Sequence, residues 1–277
     1  MTNSRGCEEL GPKKWAYKLT HILDATLGSA RFPIDVPLVA KEITKTLFPD
    51  DPITLVKGAE LEDFEGALFK APERKKGWGI IYNSALTSEG RINFTLAHEF
   101  GHYLLHRKKY PEGIQCSERE LLDWKSEIGR IEGEANEFAS NFLMPLNDFK
   151  EIISPTEEAC RLLLGEAADR YNTSFTATTL RWLAYTEKKA VLVVSRDGFI
   201  LWAWSSKSAY KAGYYIKTNG LAPKSLPKES LAAQIQPNLT VNDRVLHKSN
   251  VWFDNSSIEH CFNSEQYDLV ISIIYIP

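Results

Sequence analysis

His98, Glu99 and His102 carry the clearest chemical signal in the chain, because they form an H-E-x-x-H pattern. On a helix, residues four apart lie on one face, so both imidazoles can reach one metal ion with Glu99 beside them. Two histidines leave a zinc ion short of ligands, so a water molecule can occupy an open position and be activated by Glu99 as general base. The pattern predicts a hydrolase that binds one Zn²⁺ per chain.

The segment around this pattern is predicted to be a helix. Apolar residues recur at helical spacing, which gives the helix a face to bury; they are Phe94, Ala97, Gly101, Leu104 and Leu105. Gly101 costs about 1 kcal/mol of helix propensity relative to Ala. It is explained if another backbone or a substrate approaches closely at that point.

A third protein ligand is needed, and His106 is the first of two candidates. It continues the i, i+4, i+8 series, but it lies roughly 12 Å along the axis from His98 at 1.5 Å per residue. Nothing between His102 and His106 breaks the helix. His106 is therefore predicted to support the site or the packing.

Glu132 is the better candidate for the third ligand. It shares one stripe of a second predicted helix with small residues that permit close packing against the first helix; the stripe is Glu132, Ala135, Asn136, Ala139 and Leu143. Glu134 and Glu137 point elsewhere and are predicted to be solvated. A His-His-Glu site keeps one coordination position open, as catalytic zinc requires.

Two motifs together resemble the ImmA/IrrE family of metallopeptidases. The first is Phe94-Thr95-Leu96-Ala97-His98-Glu99-Phe100-Gly101-His102, and the second is Glu132-x-x-Ala135-Asn136-x-Phe138-Ala139 followed by Leu143-Met144-Pro145. Residues 32–40 and 77–83 also resemble the family, so the resemblance spans about residues 30 to 146. It implies a zincin-like protease domain in which His98, His102 and Glu132 bind the metal and Glu99 is catalytic.

The resemblance also implies a protein substrate. Members of the family typically cut a partner transcriptional repressor that carries a helix-turn-helix domain, and so relieve repression during stress or mobile-element induction. The alternative is a non-catalytic regulator that uses the fold to bind a repressor or sense a signal. Retention of Glu99 favours the enzyme, because a protein that only binds has no chemical need for it. Tyr103, Tyr82 and His106 are the candidates for steadying the oxyanion, and the sequence does not choose among them.

Composition agrees with an intracellular enzyme. The 277 residues, 43% of them hydrophobic, can bury one large core or two modest ones. The N-terminus has no apolar signal core and no apolar run is long enough to span a bilayer, so we predict a cytoplasmic protein that does not contact the membrane.

Four scattered cysteines form no C-x-x-C pair and read as reduced thiols; they are Cys7, Cys116, Cys160 and Cys261. Cys116 lies between the two ligand segments, so an inhibitory thiolate on the metal is an alternative to simple packing.

Residues 156–189 resemble a helix-turn-helix, with helices predicted at about 157–171 and 176–186 around a turn at 172–174. DNA binding requires excess positive charge along the phosphates. The net charge of the chain is −3, and the arginines and lysines of this segment are matched by acidic residues. We therefore expect a structural role and no direct DNA binding.

Before the motif helix, the sequence predicts helices at about 13–27 and 38–47 and strands near 53–57, 66–70 and 79–82. In zincin-like folds, the strand before the motif helix forms the upper edge of the cleft, where a peptide substrate can add as another strand. We assign that edge to Trp78, Gly79, Ile80, Ile81, Tyr82 and Asn83. The alternative is an ordinary covered strand.

After Lys189 the sequence predicts a separate α/β module. Residues 190–204 form two apolar runs around Asp197-Gly198, which is a hairpin signal. Further strands are predicted at 214–217, 251–253 and 267–276, and the connection at 222–237 holds at most one helix. A few longer members of the family carry a GAF-like sensor domain at this position. Its aromatic residues could line a small-molecule pocket, but core packing is favoured and no ligand is assigned.

The predicted fold class is α+β, in three parts. Residues 1–155 form the zincin-like metallopeptidase domain, residues 156–189 the helix-turn-helix-like segment, and residues 190–277 the smaller GAF-like α/β domain. The predicted function is that of a zinc endopeptidase acting on a partner protein.

Overall fold

The computed structural model describes residues 10–62, 64–72, 74–115, 127–218, 222–234, 243–264 and 268–277. The chain divides into two compact units, of which the first comprises Met1–Leu146 with Ala168–Ser174 and the second comprises Asn147–Ala167 with Phe175–Pro277. The division into three domains at residues 155 and 189 remains a prediction. Within the described ranges, no helix is both long enough and apolar enough to cross a bilayer.

The first unit combines helices with one mixed sheet. Its elements are α1 Pro12–Leu27, α2 Val36–Leu47, β1 Ile53–Ala59, β2 Gly66–Lys70, β3 Trp78–Asn83, α3 Glu89–His106, β4 Gly113–Gln115 and α4 Glu127–Leu143. The strand order is β1-β3-β2-β4. β1 is parallel to β3, whereas β2 is antiparallel to both β3 and β4.

Strand β3 lies inside this sheet, hydrogen-bonded to β1 on one side and to β2 on the other. The prediction that residues 78–83 form the edge is therefore wrong. The edge beside β2 is β4, a three-residue strand that follows α3 and returns to pair with residues 67–69. So short a strand has no alternation of apolar and polar residues by which the sequence could reveal it.

Helix α3 is placed between this sheet and α4. The Ser88 side chain accepts a hydrogen bond from the backbone N–H of Arg91 and so caps its first turn. Gly101 faces α4, where an added Cβ would lie 2.9 Å from Cδ1 of Phe138 and 3.3 Å from Cα of Ala135. The close approach of another backbone, inferred from the presence of this glycine, is therefore confirmed.

Three further helices follow, α5 Leu146–Ile152, α6 Arg161–Tyr171 and α7 Phe175–Leu183. The turn between α6 and α7 falls at residues 172–174 as predicted, and Asn172 adopts a positive φ of 46° there. The helix-turn-helix interpretation of this segment remains a prediction.

The second unit contains an antiparallel sheet of six strands in the order β7-β6-β5-β10-β9-β8. Its remaining elements are β5 Lys189–Arg196, β6 Phe199–Ser205, α8 Lys207–Lys211, β7 Lys224–Ser225, α9 Leu231–Gln234, β8 Asp243–His247, β9 Ser257–Ser264 and β10 Leu269–Ile276. The predicted hairpin is present as β5 and β6. Asp197 and Gly198 both have positive φ, 51° and 79°, as a type I′ turn requires.

Two predicted strands of this unit are wrong. Residues 214–217 and 251–253 are irregular segments, and Tyr214, Val251 and Phe253 pack against the hydrophobic core of the sheet. Aromatic and β-branched residues suit strands because they suit half-buried positions, and here they cover a sheet instead of joining it. Strand 267–276 is present as β10, although Tyr267 lies outside the described residues.

A buried carboxylate ties this second sheet together. Glu259 of β9 has no exposed surface and accepts hydrogen bonds from the Trp252 indole at 2.9 Å and the Ser272 hydroxyl at 2.8 Å. The backbone N–H groups of residues 231 and 232, at the start of α9, donate to the same carboxylate. His247 Nε2 lies 2.8 Å from it. Every acceptor direction of the carboxylate is thus used inside the fold.

Both cysteines that fall within the described residues are free, with Cys160 half-buried and Cys261 buried. The predictions on Cys7 and Cys116, including an inhibitory thiolate at the metal, concern positions outside the described residues.

Candidate metal centre

His98, His102 and Glu132 converge at the contact between α3 and α4. His98 Nε2 lies 2.9 Å from His102 Nε2, and the two Glu132 oxygens lie 3.1 Å from His98 Nε2 and 3.0 Å from His102 Nε2. Each residue can offer one ligand atom to a common point. The three residues singled out from the sequence are therefore brought together.

The spacing of these atoms fits a four-coordinate metal. With bonds of about 2.0–2.1 Å, the ligand atoms of a tetrahedral centre lie roughly 3.3 Å apart. The observed separations are within a few tenths of an ångström of that value. Two imidazoles and one carboxylate are also the donor set of catalytic zinc sites, so the residues present fit zinc.

Glu99 lies beside this set but does not join it. It is buried, and the backbone N–H of Leu68 on β2 acts to lower the pKa of its carboxyl group. Its Oε2 atom has no hydrogen-bond partner among the residues the structure describes. A buried carboxylate oxygen without a donor is costly, and it is explained if a water molecule or a substrate N–H occupies that position.

Burial raises the pKa of Glu99 to about 7, although the charge of His98 opposes the shift. A general base is most effective when its pKa lies near the working pH. Gly66 of β2 leaves room for this side chain, because an added Cβ would lie 3.0 Å from Glu99 Oε1 and 2.6 Å from Cγ2 of Thr95.

The pKa values of His102 and Glu132, but not that of His98, favour the forms that bind metal. Burial lowers the pKa of His102 to about 4, so its imidazole is neutral. Burial acts in the same direction on His98, but the hydrogen bond and charge of Glu132, together with Glu99 and Asn136, outweigh it and raise its pKa. Burial opposes the charge of Glu132, yet the two imidazoles that its carboxylate faces hold its pKa well below the usual range.

Asn136 orients His98, a role that the sequence analysis did not assign. Its Oδ1 lies 3.0 Å from His98 Nδ1. An amide oxygen accepts a hydrogen bond, so a neutral His98 carries its proton on Nδ1 and turns the lone pair of Nε2 toward the other ligands. The available signal was its place one turn after Glu132 on the same helical stripe.

His106 lies between His102 and Glu134. The two Nδ1 atoms lie 3.0 Å apart, and His106 Nε2 lies 3.0 Å from Glu134 Oε2. The prediction that Glu134 is only a solvated carboxylate is therefore wrong, because its long side chain reaches the last turn of α3. Glu137 does lie at the surface, in an ion pair with Lys13.

The three candidates for steadying an oxyanion are not gathered at Glu99. Tyr103 is buried and donates to the carbonyl of Asp51 at 2.6 Å, and His106 is engaged as described. Tyr82 leans over Gly58 of β1, 3.1–3.2 Å from an ideal Cβ there. Glu99 lies at Gly66, on the opposite side of β3.

A helix that carries H-E-x-x-H, a glutamate from a second helix and a mixed sheet beside them define a zincin-like metallopeptidase domain. Residues 53–183 match a peptidase family model whose description is the IrrE N-terminal-like domain. The chain thus contains an IrrE N-terminal-like domain, and the family resemblance recognised in its motifs is confirmed.

Among solved structures, the chain is similar to one named "Mycobacterium tuberculosis transcriptional regulator". The two are 14% identical with a TM-score of 0.57, and the match covers 94% of this chain and 75% of that one. At this identity the likeness shows a shared fold. No curated protein matches the chain.

Proposed function

We propose that this chain is a zinc-dependent endopeptidase that cleaves a partner protein. The observation that carries the proposal is the buried Glu99 carboxylate, which interacts with the charges of His98 and Glu132 in the ligand set. Its Oε2 has no hydrogen-bond partner among the described residues. The match to a peptidase family supports the reaction class. A merely structural metal site would have no use for a buried acid with one carboxylate oxygen that lacks a hydrogen-bond donor.

Each residue has a separate task in this proposal. Zn²⁺ held by His98, His102 and Glu132 would supply Lewis acidity toward the peptide carbonyl and the attacking water. Glu99 takes a proton from that water through Oε2 and gives it to the leaving amine. The N–H of Leu68 lowers the pKa of Glu99 and so favours the ionised carboxylate that accepts the proton.

The substrate is proposed to bind along β4 as an additional strand. β4 pairs with β2 on one side, and within the described residues no strand pairs with its other side. Unpaired backbone groups on such an edge can bind an extended peptide. β2 connects this edge to the chemistry, because a Cβ at Gly66 would meet Glu99 and the N–H of Leu68 lowers the pKa of Glu99.

The proposed partner is a helix-turn-helix transcriptional repressor in the cytoplasm, in a stress or mobile-element response. This part of the proposal is supported by the resemblance to ImmA/IrrE proteins. The second unit is proposed to be a GAF-like sensor that controls the peptidase.

The test uses Glu99→Gln, which keeps size and hydrogen bonding but cannot accept the proton. We expect this variant to bind zinc like the wild type and to leave intact a repressor encoded beside the gene, with turnover lower by about 10²- to 10⁴-fold. Glu132→Ala should lose zinc, whereas Glu137→Ala should lose neither zinc nor activity. If Glu99→Gln fully relieves repression in cells, the chain is a non-catalytic regulator.

A further inference from the structure

A chain of hydrogen bonds leads from His102 away from the metal centre. His102 Nδ1 lies 3.0 Å from His106 Nδ1, and His106 Nε2 lies 3.0 Å from Glu134 Oε2. Glu134 Oε1 accepts from the Arg130 guanidinium at 2.5 Å. His102 and His106 are buried and Glu134 is partly exposed, so the chain runs from the protein interior toward the surface.

The chemistry of these groups gives the chain a direction. An ionised Glu134 can only accept, so His106 Nε2 must donate to it. A neutral His106 then has only a lone pair on Nδ1, so His102 must place its own proton on Nδ1. The lone pair of His102 Nε2 is thereby turned toward His98 and Glu132, which is the tautomer that a metal ligand needs.

We propose that His106 and Glu134 are positioning residues that fix the tautomer and ring orientation of His102 for the metal. The inference rests on the proposed metal site. It gives α4 two roles at the metal centre. This helix supplies the ligand Glu132, and it also supplies Glu134, which acts on the ligand His102 through His106. Partners of this kind contribute about 10- to 100-fold to metal affinity.

Three substitutions of His106 separate the two ends of its ring. His106→Asn places an acceptor oxygen close to the position of Nδ1 but loses the bond to Glu134. His106→Gln keeps a group near Nε2 but loses the acceptor for His102. His106→Phe keeps a buried ring and loses both. Glu134→Ala removes the terminal carboxylate, and Glu137→Ala is the matched control on the same helix.

Zinc affinity is measured by competition with a chelator, and circular dichroism establishes that each variant folds. We expect zinc binding to weaken about 10- to 100-fold in His106→Phe and His106→Gln. His106→Asn should regain most of the lost zinc affinity, and Glu137→Ala should match the wild type. The zinc affinity of Glu134→Ala should lie between that of His106→Phe and that of the wild type. If His106 served only packing, the smaller Asn would not restore zinc affinity better than the larger Gln.

The second measurement is the protonation of the histidine nitrogens in the full-length protein, by long-range ¹H–¹⁵N correlation NMR. We expect the proton of His102 on Nδ1 and that of His106 on Nε2. A doubly protonated His106, or unchanged zinc affinity in a folded His106→Phe, would overturn the inference. Failure of the wild type to bind zinc would instead overturn the proposed function, so the two failures are distinguishable.

Discussion

Gly101 of α3 and Ala135 of α4 touch backbone to backbone, with only 3.3 Å between the Cα of Ala135 and the position that a Cβ on residue 101 would take. This contact sets the distance between α3 and α4. Because the histidines lie on α3 and Glu132 on α4, the same contact sets the size of the metal centre.

Gly101→Ala is therefore expected to weaken both the fold and zinc binding. Alanine gains about 1 kcal/mol of helix propensity, but inserting a methyl group into a packed contact costs about 1–3 kcal/mol, so the clash with Ala135 and Phe138 prevails. Chemical denaturation and zinc titration measure the two effects. Gly133→Ala is the control, since its Cβ would meet nothing within 4 Å and should slightly stabilise α4. Equal behaviour of the two variants would contradict the explanation.

Gly66→Ala is expected to damage catalysis more than metal binding. The new methyl group would meet Glu99 and Thr95 at 3.0 Å and 2.6 Å, while the three metal ligands lie elsewhere. Displacing a reacting group by about 1 Å can lower the rate about 10²-fold. Steady-state cleavage of the partner measures catalysis, and zinc titration on the same preparation measures metal binding. Loss of zinc in parallel with activity would show that the glycine serves the whole centre.

Glu99→Gln is expected to stabilise the metal-free protein in a pH-dependent way. Folding raises the pKa of Glu99 from 4.5 to about 7, so the wild type loses stability as pH rises through that interval, when the buried carboxyl must ionise. The loss amounts to on the order of 3 kcal/mol above pH 7 and vanishes below about pH 4.5. Gln has no charge to bury. Denaturation in a chelator should show equal stability near pH 4.5 and a more stable variant at pH 8; a constant difference across this range would refute the assignment.

Glu259→Ala is expected to destabilise the second unit by about 3–5 kcal/mol, because the donors around the buried carboxylate would lose their partner. Trp252 fluorescence and hydrogen exchange of β9 report on that unit. Glu229→Ala, at an exposed position, should stay within about 0.5 kcal/mol of the wild type. Zinc binding should be unchanged in both variants.

The ligand set was predictable because its rules are local. The four-residue spacing of His98 and His102 places them on one face of any helix, and the stripe that contains Glu132 indicates which face of α4 packs. Glu134 was misjudged because it lies about 200° around the helix from Glu132. Only the crossing of α3 and α4 shows that its side chain reaches His106.

Strand pairing was less accessible, because it joins residues far apart in sequence. Asp197-Gly198 predicted its hairpin from two adjacent residues. In contrast, β4 becomes a strand only because β2 offers a free side, and β3 lies inside the sheet because both β1 and β2 pair with it. The aromatic segments 214–217 and 251–253 have the composition of strands but form none. Their side chains cover the core of the second sheet instead.

The division of the ligands between α3 and α4 makes a bound metal a link between two helices. A ligand that binds only the folded protein adds RT ln(1 + [L]/Kd) to its stability, which is about 2.7 kcal/mol at a concentration of 100 Kd. The amount of free metal available would then govern how firmly α3 and α4 hold together, as well as whether the centre is filled. A cell short of metal would hold a less durable protein, with a shorter lifetime against its own proteases.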